Sequence, residues 1–231
     1  MSEFVGLRRS GCGELPEKTV LLTFDDAFAD FYTAALPILR QHALAATLYV
    51  PTRYVGASSR WLRAEGETDR SMLTWAQLRE IASSGVECAA HSHTHPQLDR
   101  IPARQLAEEV FRPKQVLEDQ LQIPVGSFAY PFGYYNRSVR QAVEDAGYSS
   151  ACAVNDLTST ARDDVLLLPR LTVSAVTDVS ALTRLLEGQK PTATSRGVAG
   201  GKRLAWRAWR QHGPDRNTTD AANRTAGNRC S

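Results

Sequence analysis

"KTVLLTFDD", residues 18–26, decides the fold, because it is almost continuously apolar and ends in two adjacent carboxylates. An apolar run of this kind is typical of a strand that is buried on both faces, as the strands of a parallel sheet are. Residues 31–44 then carry apolar side chains at helical spacing, and "AATLYVP" at 45–51 predicts a second strand. The three segments together predict a β-α-β unit, in which the two strands run parallel.

The alternation of strands and helices continues along the chain. Thr74 followed by Gln77 is the capping-box pattern that starts a helix, and Gly85 is a typical helix stop. Asn136 predicts a second helix cap. Further strands are predicted at 86–90, 126–131, 148–154 and 165–173, and further helices at 102–121, 137–146 and 178–187. This order predicts an α/β fold with a parallel sheet, either open or closed into a barrel.

Composition divides the 231 residues into an N-terminal extension at 1–17, a folded domain at 18–188 and a tail at 189–231. The tail holds nine Lys and Arg against two Asp and Glu, and it is poor in apolar residues, so we predict that it is disordered. Trp206 and Trp209 lie three apart in this basic segment. They indicate either a weak contact with a membrane surface or a solvated tail, and the composition favours the solvated tail.

The four cysteines show no CxxC spacing, and Cys88 and Cys152 fall in predicted strands, so we expect them to be small buried apolar residues. No segment reaches the roughly 18 consecutive apolar residues of a spanning helix. The first residues also lack the apolar core of a signal peptide. We therefore expect a cytoplasmic protein, and we expect no nucleic-acid partner.

Polar side chains collect where three predicted strands end. Asp25 and Asp26 end the first strand, His91 and His95 follow the third, and "YPFG" at 130–133 ends the fourth. The carboxyl ends of parallel strands share one edge, where active sites of α/β proteins lie. Each motif alone is weak evidence, because HxxxH also occurs in polar loops and Asp pairs also cap helices. Their joint placement predicts an Asp26–His91–His95 metal site with open positions, in which a cation offsets the paired carboxylates.

"TFDD", "HSHTHP" and "FAYPFG", in this order, resemble the first three motifs of the polysaccharide deacetylase family, the NodB-homology domain of carbohydrate esterase family 4. The resemblance covers roughly residues 18–175. It implies a distorted (β/α) barrel with about seven parallel strands. It also implies removal of N- or O-acetyl groups from an amino sugar or glycan with a divalent metal, most often Zn²⁺, with Co²⁺ and Ni²⁺ as alternatives.

The resemblance also implies a role for individual residues. Asp25 matches the general base, and Asp26, His91 and His95 match the metal ligands, while His93 points elsewhere. The backbone N–H of Phe132 matches the donor that stabilises the oxyanion. The substrate-binding residues implied around it are Tyr130, Pro131, Gly133 and Tyr134. Pro131 and Gly133 shape the turn, and one of the tyrosines is expected to stack on a sugar ring, with packing as the alternative.

Two departures from the family pattern leave alternatives open. The third motif usually begins with an arginine, but Ala129 stands there, and we expect Arg170 to bring a guanidinium to Asp25 or else to form a purely structural ion pair. The late histidine that acts as general acid in many members of the family is absent, because no histidine lies between His95 and His212. The alternatives are that the metal-bound water returns the proton to the leaving amine, that Asp25 returns it, or that the activity is low. The alternatives to a deacetylase of an intracellular glycan are a hydrolase of a non-sugar amide or cyclic imide, and a glycan-binding module with weakened catalysis.

Overall fold

A computed structural model describes residues 1–10, 18–65 and 70–188 of the chain. The chain divides into two compact units, Met1–Thr172 and a second unit that begins at Val173. The predicted tail at 189–231, with Trp206 and Trp209, lies outside the described residues, as do residues 11–17 of the predicted extension.

The first unit is built on a parallel sheet whose spatial order follows the chain, β1-β2-β3-β4-β5. All neighbouring pairs are parallel. The strands are Leu22–Phe24, Ala46–Val50, Val86–Ala90, Ser127–Ala129 and Ser150–Cys152. The predicted α/β fold with a parallel sheet is therefore confirmed, and β2, in the interior of the sheet, is buried along its whole length.

The predicted number of about seven strands is wrong, since the described residues form five. The strand predicted at 165–173 meets β5 through a single parallel bridge, between Cys152 and Leu168. Pro169 follows directly and has no N–H with which to extend the ladder. β1 is likewise shorter than the predicted 18–26, so the acidic pair comes immediately after the strand instead of ending it.

The helices lie mostly where the sequence predicts them. In the first unit they are α1 Ser2–Ser10, α2 Leu36–Gln41, α3 Trp75–Ser83, α4 Ala103–Leu121 and α5 Arg137–Asp145, and in the second unit α6 Val179–Leu186. The helix predicted at 31–44 is split, because a π-helical turn at Phe31–Ala35 precedes α2. The capping box of α3 is present, as Thr74 Oγ1 accepts from the Gln77 N–H at 3.3 Å and Gln77 Oε1 accepts from the Thr74 N–H at 2.9 Å.

Both faces of the sheet are buried, as the apolar strands predict. One face packs against the helices through residues such as Leu48 of β2 and Leu78 of α3, both fully buried. The other face carries Tyr49, Ala89, Ala129, Cys152 and Leu168, with Met1 and Phe4 packed against them. Cys88 and Cys152 are free and buried, which confirms the prediction for both.

No helix in the part of the chain that the structure describes combines the length and the apolar character needed to cross a membrane.

Candidate active site

Asp26, His91 and His95 lie together at the carboxyl edge of the sheet. The Asp26 Oδ1 atom is 3.5 Å from His91 Nε2 and 3.2 Å from His95 Nε2. The two Nε2 atoms are 3.2 Å apart. Asp26 arrives in the turn after β1, and both histidines arrive in the loop after β3, so two separate strands place the three side chains.

This triangle of donor atoms fits a divalent cation. Tetrahedral zinc, with bonds of about 2.0–2.1 Å, holds its ligand atoms about 3.3–3.4 Å apart, which agrees with the three distances observed. Among the described residues, the buried Asp26 Oδ1 atom has no hydrogen-bond partner. Three protein ligands, two nitrogens and one oxygen, form the donor set of a catalytic zinc site rather than of a closed structural one.

The protonation of His91 suits a metal ligand. Its Nδ1–H donates to the main-chain carbonyl of Ala129, at the end of β4, over 2.8 Å. A carbonyl only accepts, so the proton is on Nδ1 and the Nε2 lone pair faces Asp26. Burial lowers the pKa of His91, more than its acidic neighbours raise it, and this keeps the imidazole in the neutral form that binds metals.

The loop between the two histidines adopts an uncommon backbone conformation. Ser92 and His95 have φ values of 61° and 56°, in the left-handed region that side chains disfavour. The Ser92 hydroxyl oxygen accepts from the His95 N–H at 3.0 Å. His93 turns away from the cluster, and its Nδ1 lies 2.8 Å from the hydroxyl of Thr52.

Asp25 lies beside the cluster and is paired with Arg170. Two parallel hydrogen bonds of 2.7 and 2.8 Å join the Arg170 guanidinium to the carboxylate oxygens of Asp25. Arg170 also donates to the hydroxyl of Thr23 and to the carbonyl of Ala153. Burial raises the pKa of Asp25, but Arg170 and the two site histidines lower it to about 2. Asp25 thus has an arginine partner, but this arginine comes from position 170 and not from position 129, where Ala129 replaces the arginine that the family resemblance implies.

The turn after β4 brings Phe132 to the cluster. The Phe132 ring packs edge-on against the ring of His95, with 4.7 Å between centroids. Phe132 has φ of 59°, and Gly133 follows with φ of 73°. A Cβ atom at Gly133 would lie 2.7 Å from the backbone nitrogen of Val154, so only glycine fits this turn.

The structure corrects the expectation for Tyr130. Its side chain is fully buried, and its hydroxyl donates to the carbonyl of Leu166 at 2.9 Å. Of the two alternatives for this residue, packing is the one observed, because the side chain points into the core beside Phe128 and is not accessible to a sugar. Pro131 and Gly133 are buried as well, whereas Tyr134 is half-buried and its ring stacks on that of Phe132 at 6.4 Å.

Sequence reasoning missed two residues that support the site. The ring centroid of Trp61, in the segment between β2 and α3, lies 5.1 Å from that of His95. Glu109 of α4 is buried and accepts hydrogen bonds from the loop that carries the histidines. A local signal existed only for Glu109, which is a charged residue on the apolar face of α4, between the buried Leu106 and Val110.

Comparison with known proteins identifies related sequences. The sequence profile of the family described as polysaccharide deacetylase matches residues 13–151. YxkH of Bacillus subtilis, described as a polysaccharide deacetylase, is 26% identical over 174 residues, which cover 75% of this chain and 58% of that protein. The poly-beta-1,6-N-acetyl-D-glucosamine N-deacetylase of Staphylococcus aureus strain MSSA476 is 21% identical over 183 residues, 75% of this chain and 60% of that protein. The chain thus spans about three-fifths of the length of these relatives.

Solved structures show the same fold. The Streptococcus pyogenes deacetylase PplD, in complex with acetate, superposes with a TM-score of 0.68 at 27% identity, over 80% of this chain and 77% of that one. IcaB from Ammonifex degensii superposes with a TM-score of 0.65 at 23% identity, over 77% of each chain. These likenesses confirm the predicted NodB-like α/β fold. Since the family profile covers more than half of its residues, the chain belongs to the polysaccharide deacetylase family.

Proposed function

We propose that this protein is a divalent-metal-dependent hydrolase that removes an acetyl group from an acetylated amino sugar or glycan. The observation that carries the proposal is the triangle of Asp26, His91 and His95 next to the paired carboxylate of Asp25. The name of the Staphylococcus aureus relative states N-deacetylation of a poly-N-acetylglucosamine, and the PplD structure holds acetate, which is the product of such a reaction. All residues that the proposal uses lie in the first compact unit, within the proposed domain at 18–188.

In the proposed mechanism, Asp26, His91 and His95 hold the cation. When bound, the cation polarises an acetyl carbonyl and makes a water molecule more acidic. Asp25 is the proposed general base, because its carboxylate is ionised at neutral pH and lies 4.0 Å from His91 Nε2. Its low pKa makes it a weak base, so it depends on a water of raised acidity.

Arg170 is proposed to orient Asp25. A bidentate pair fixes the plane of the carboxylate, which leaves the base pre-aligned and lowers the cost of reaching the reactive geometry. The Arg170 side chain is itself held by Thr23 and Ala153 and lies over the ring of Tyr49, 5.5 Å from its centroid. A guanidinium held on this many sides is suited to keep its partner in one orientation.

The backbone N–H of Phe132 is the proposed donor to the oxyanion, and Tyr134 is the proposed contact to the sugar. Both belong to the turn that packs against His95. The leaving amine needs a proton, and the sequence has no histidine between His95 and His212 that could donate it. We assign it to Asp25, which would take up a proton during attack and return it to the nitrogen when the C–N bond breaks.

The test is release of acetate and of free amine from chitooligosaccharides and from β-1,6-linked N-acetylglucosamine oligomers. We expect release that a chelator abolishes and that added Zn²⁺, Co²⁺ or Ni²⁺ restores. An Asp25→Asn variant should bind metal but release no acetate. Asp30→Asn is the matched control, because Asp30 lies in the same loop but is exposed and paired with Arg70 at the surface.

Three other outcomes would refute the proposal. Glycan binding without acetate release in the metal-loaded protein would indicate a binding module. Release from a non-sugar amide or a cyclic imide alone would indicate a different hydrolase. Full activity in Asp25→Asn would contradict the role of Asp25 as the base.

A further inference from the structure

The loop that joins the two histidine ligands is held on its carbonyl side by the segment after β2. The carbonyls of Ser92 and His93 accept from the N–H groups of Thr52 and Arg53, at 3.4 and 2.9 Å. The carbonyl of Thr94 accepts from the hydroxyl of Tyr54 at 3.2 Å. This side of the loop therefore depends on main-chain groups and one tyrosine.

On its N–H side the loop is held by one carboxyl group, that of Glu109. Oε2 of Glu109 accepts from the N–H groups of His93 and Thr94, at 2.9 and 2.7 Å. Oε1 accepts from the Thr94 hydroxyl at 2.5 Å. The side chain is only 4% exposed, and burial of a carboxyl group is unfavourable unless hydrogen bonds replace its water. Three donors from two adjacent loop residues supply that replacement.

The loop needs this support because its ends are strained. Ser92 and His95 both have φ near +60°, a conformation that non-glycine residues keep only when their surroundings enforce it. The residues that Glu109 contacts, His93 and Thr94, are those between the two strained positions. Glu109 thus acts on the ligand histidines through the backbone and not by direct contact with their rings.

We propose that Glu109 is a positioning residue, which holds the His91–His95 loop in its metal-binding conformation and thereby sets the affinity for the cation. This inference rests on the metal dependence proposed above. Removal of an outer partner of a metal ligand typically lowers metal affinity by about 10–100-fold. We expect a loss of that size when Glu109 no longer accepts the two N–H groups.

Three variants separate a positioning role from a general effect on folding. Glu109→Leu fills the buried space on α4 with an apolar side chain but removes both acceptor oxygens. Glu109→Gln keeps one oxygen, which can accept from the same two N–H groups. Glu108→Ala is the matched control, because Glu108 is the next residue on α4 and its side chain is 62% exposed. It removes a carboxyl group from the same helix without touching the loop.

The experiment measures Zn²⁺ affinity of the full chain by competition with a chromophoric chelator, together with the visible absorption spectrum of the Co²⁺ form. Thermal unfolding of the metal-free protein checks that each variant folds. We expect wild-type affinity in Glu108→Ala, a loss of about 10–100-fold with an altered Co²⁺ spectrum in Glu109→Leu, and recovery to within a few-fold in Glu109→Gln.

Equal Zn²⁺ affinity and an unchanged Co²⁺ spectrum in Glu109→Leu would overturn the inference, and so would a Glu109→Gln variant as weak as Glu109→Leu. If Glu109→Leu does not fold, Thr94→Val decides, because it removes one of the three bonds: weaker Zn²⁺ binding supports the inference and wild-type binding overturns it. A wild-type chain that binds no divalent cation would overturn the proposed function as well. If the wild-type chain binds Zn²⁺ and the Glu109→Leu variant binds it with equal affinity, only this inference is overturned and the proposed function is not.

Discussion

Replacement of Arg170 by Met should lower the free energy of unfolding, because it removes the group that stabilises the charged form of Asp25. The size of the loss follows from the pKa of Asp25. Burial raises that pKa, but opposing charges, led by Arg170, lower it from 3.8 to about 2. Each tenfold change in acidity corresponds to about 1.4 kcal/mol, so the charge of Asp25 contributes roughly 2 kcal/mol to folding. Because the folded pKa lies below the unfolded one, this contribution is present above pH 3.8 and is lost as the pH falls through about 2.

A double-mutant cycle isolates the part of this contribution that comes from the pair of Asp25 and Arg170. The free energy of unfolding of the metal-free protein is determined in urea for the wild type, Asp25→Asn, Arg170→Met and the double variant, and bonds from Arg170 to other groups cancel in the cycle. We expect a coupling energy of at least about 2 kcal/mol near pH 7, because Arg170 also offsets the cost of burying Asp25, and we expect it to decline as the pH falls below about 4. A coupling energy below about 0.5 kcal/mol, or one that does not change with pH, would refute the reasoning, because surface ion pairs reach only that size.

Three further predictions concern the turn, the metal site and the tyrosines. Gly133→Ala should lower the free energy of unfolding by more than Gly147→Ala. Both positions have positive φ, which costs an alanine about 1–3 kcal/mol, but only at Gly133 would the added Cβ atom press against the backbone. Chemical denaturation measures the two losses, and equal losses would contradict the prediction. Asp26→Asn should bind Zn²⁺ at least about tenfold more weakly in a chelator competition while circular dichroism stays unchanged; wild-type affinity would exclude Asp26 as a ligand. Tyr130→Phe should cost about 1–3 kcal/mol of stability, since it leaves the buried carbonyl of Leu166 without its donor, and it should not change KM. Tyr134→Ala should raise KM instead. The reverse pattern would show that the two roles are exchanged.

The sequence predicts which side chains meet at the edge of the sheet, because the order of parallel strands determines which loops are neighbours. In parallel strands the carboxyl ends meet at one edge, so Asp26 after β1 and His91 after β3 are neighbours although far apart in the chain. The capping box at Thr74 is a local pattern with a local cause, and it too is present. The contact between Arg170 and Asp25 is predictable, because the family resemblance implies an arginine beside this carboxylate and position 129 does not supply one.

The errors come from contacts that no short pattern records. The pattern predicts a sixth strand at 165–173 because "VLLLPRL" is apolar enough for a strand, although Pro169 stops its ladder. The number of about seven strands comes from the family resemblance alone. The "YPFG" motif implies a substrate contact for Tyr130, whereas the two-residue period of β4 places it on the same side as the buried Phe128. Trp61 reaches His95 from a segment without any regular pattern, and only the folded chain reveals that contact.

The pairing of Asp25 with Arg170 joins residues separated by 145 positions, whereas the three proposed metal ligands lie at or before residue 95. During synthesis on the ribosome, which proceeds from the amino end, the groups proposed to hold a cation emerge first. The guanidinium that aligns the base emerges much later, and contacts of such long range form late and slowly. The side chains proposed to hold a cation are therefore synthesised before the arginine proposed to align the base.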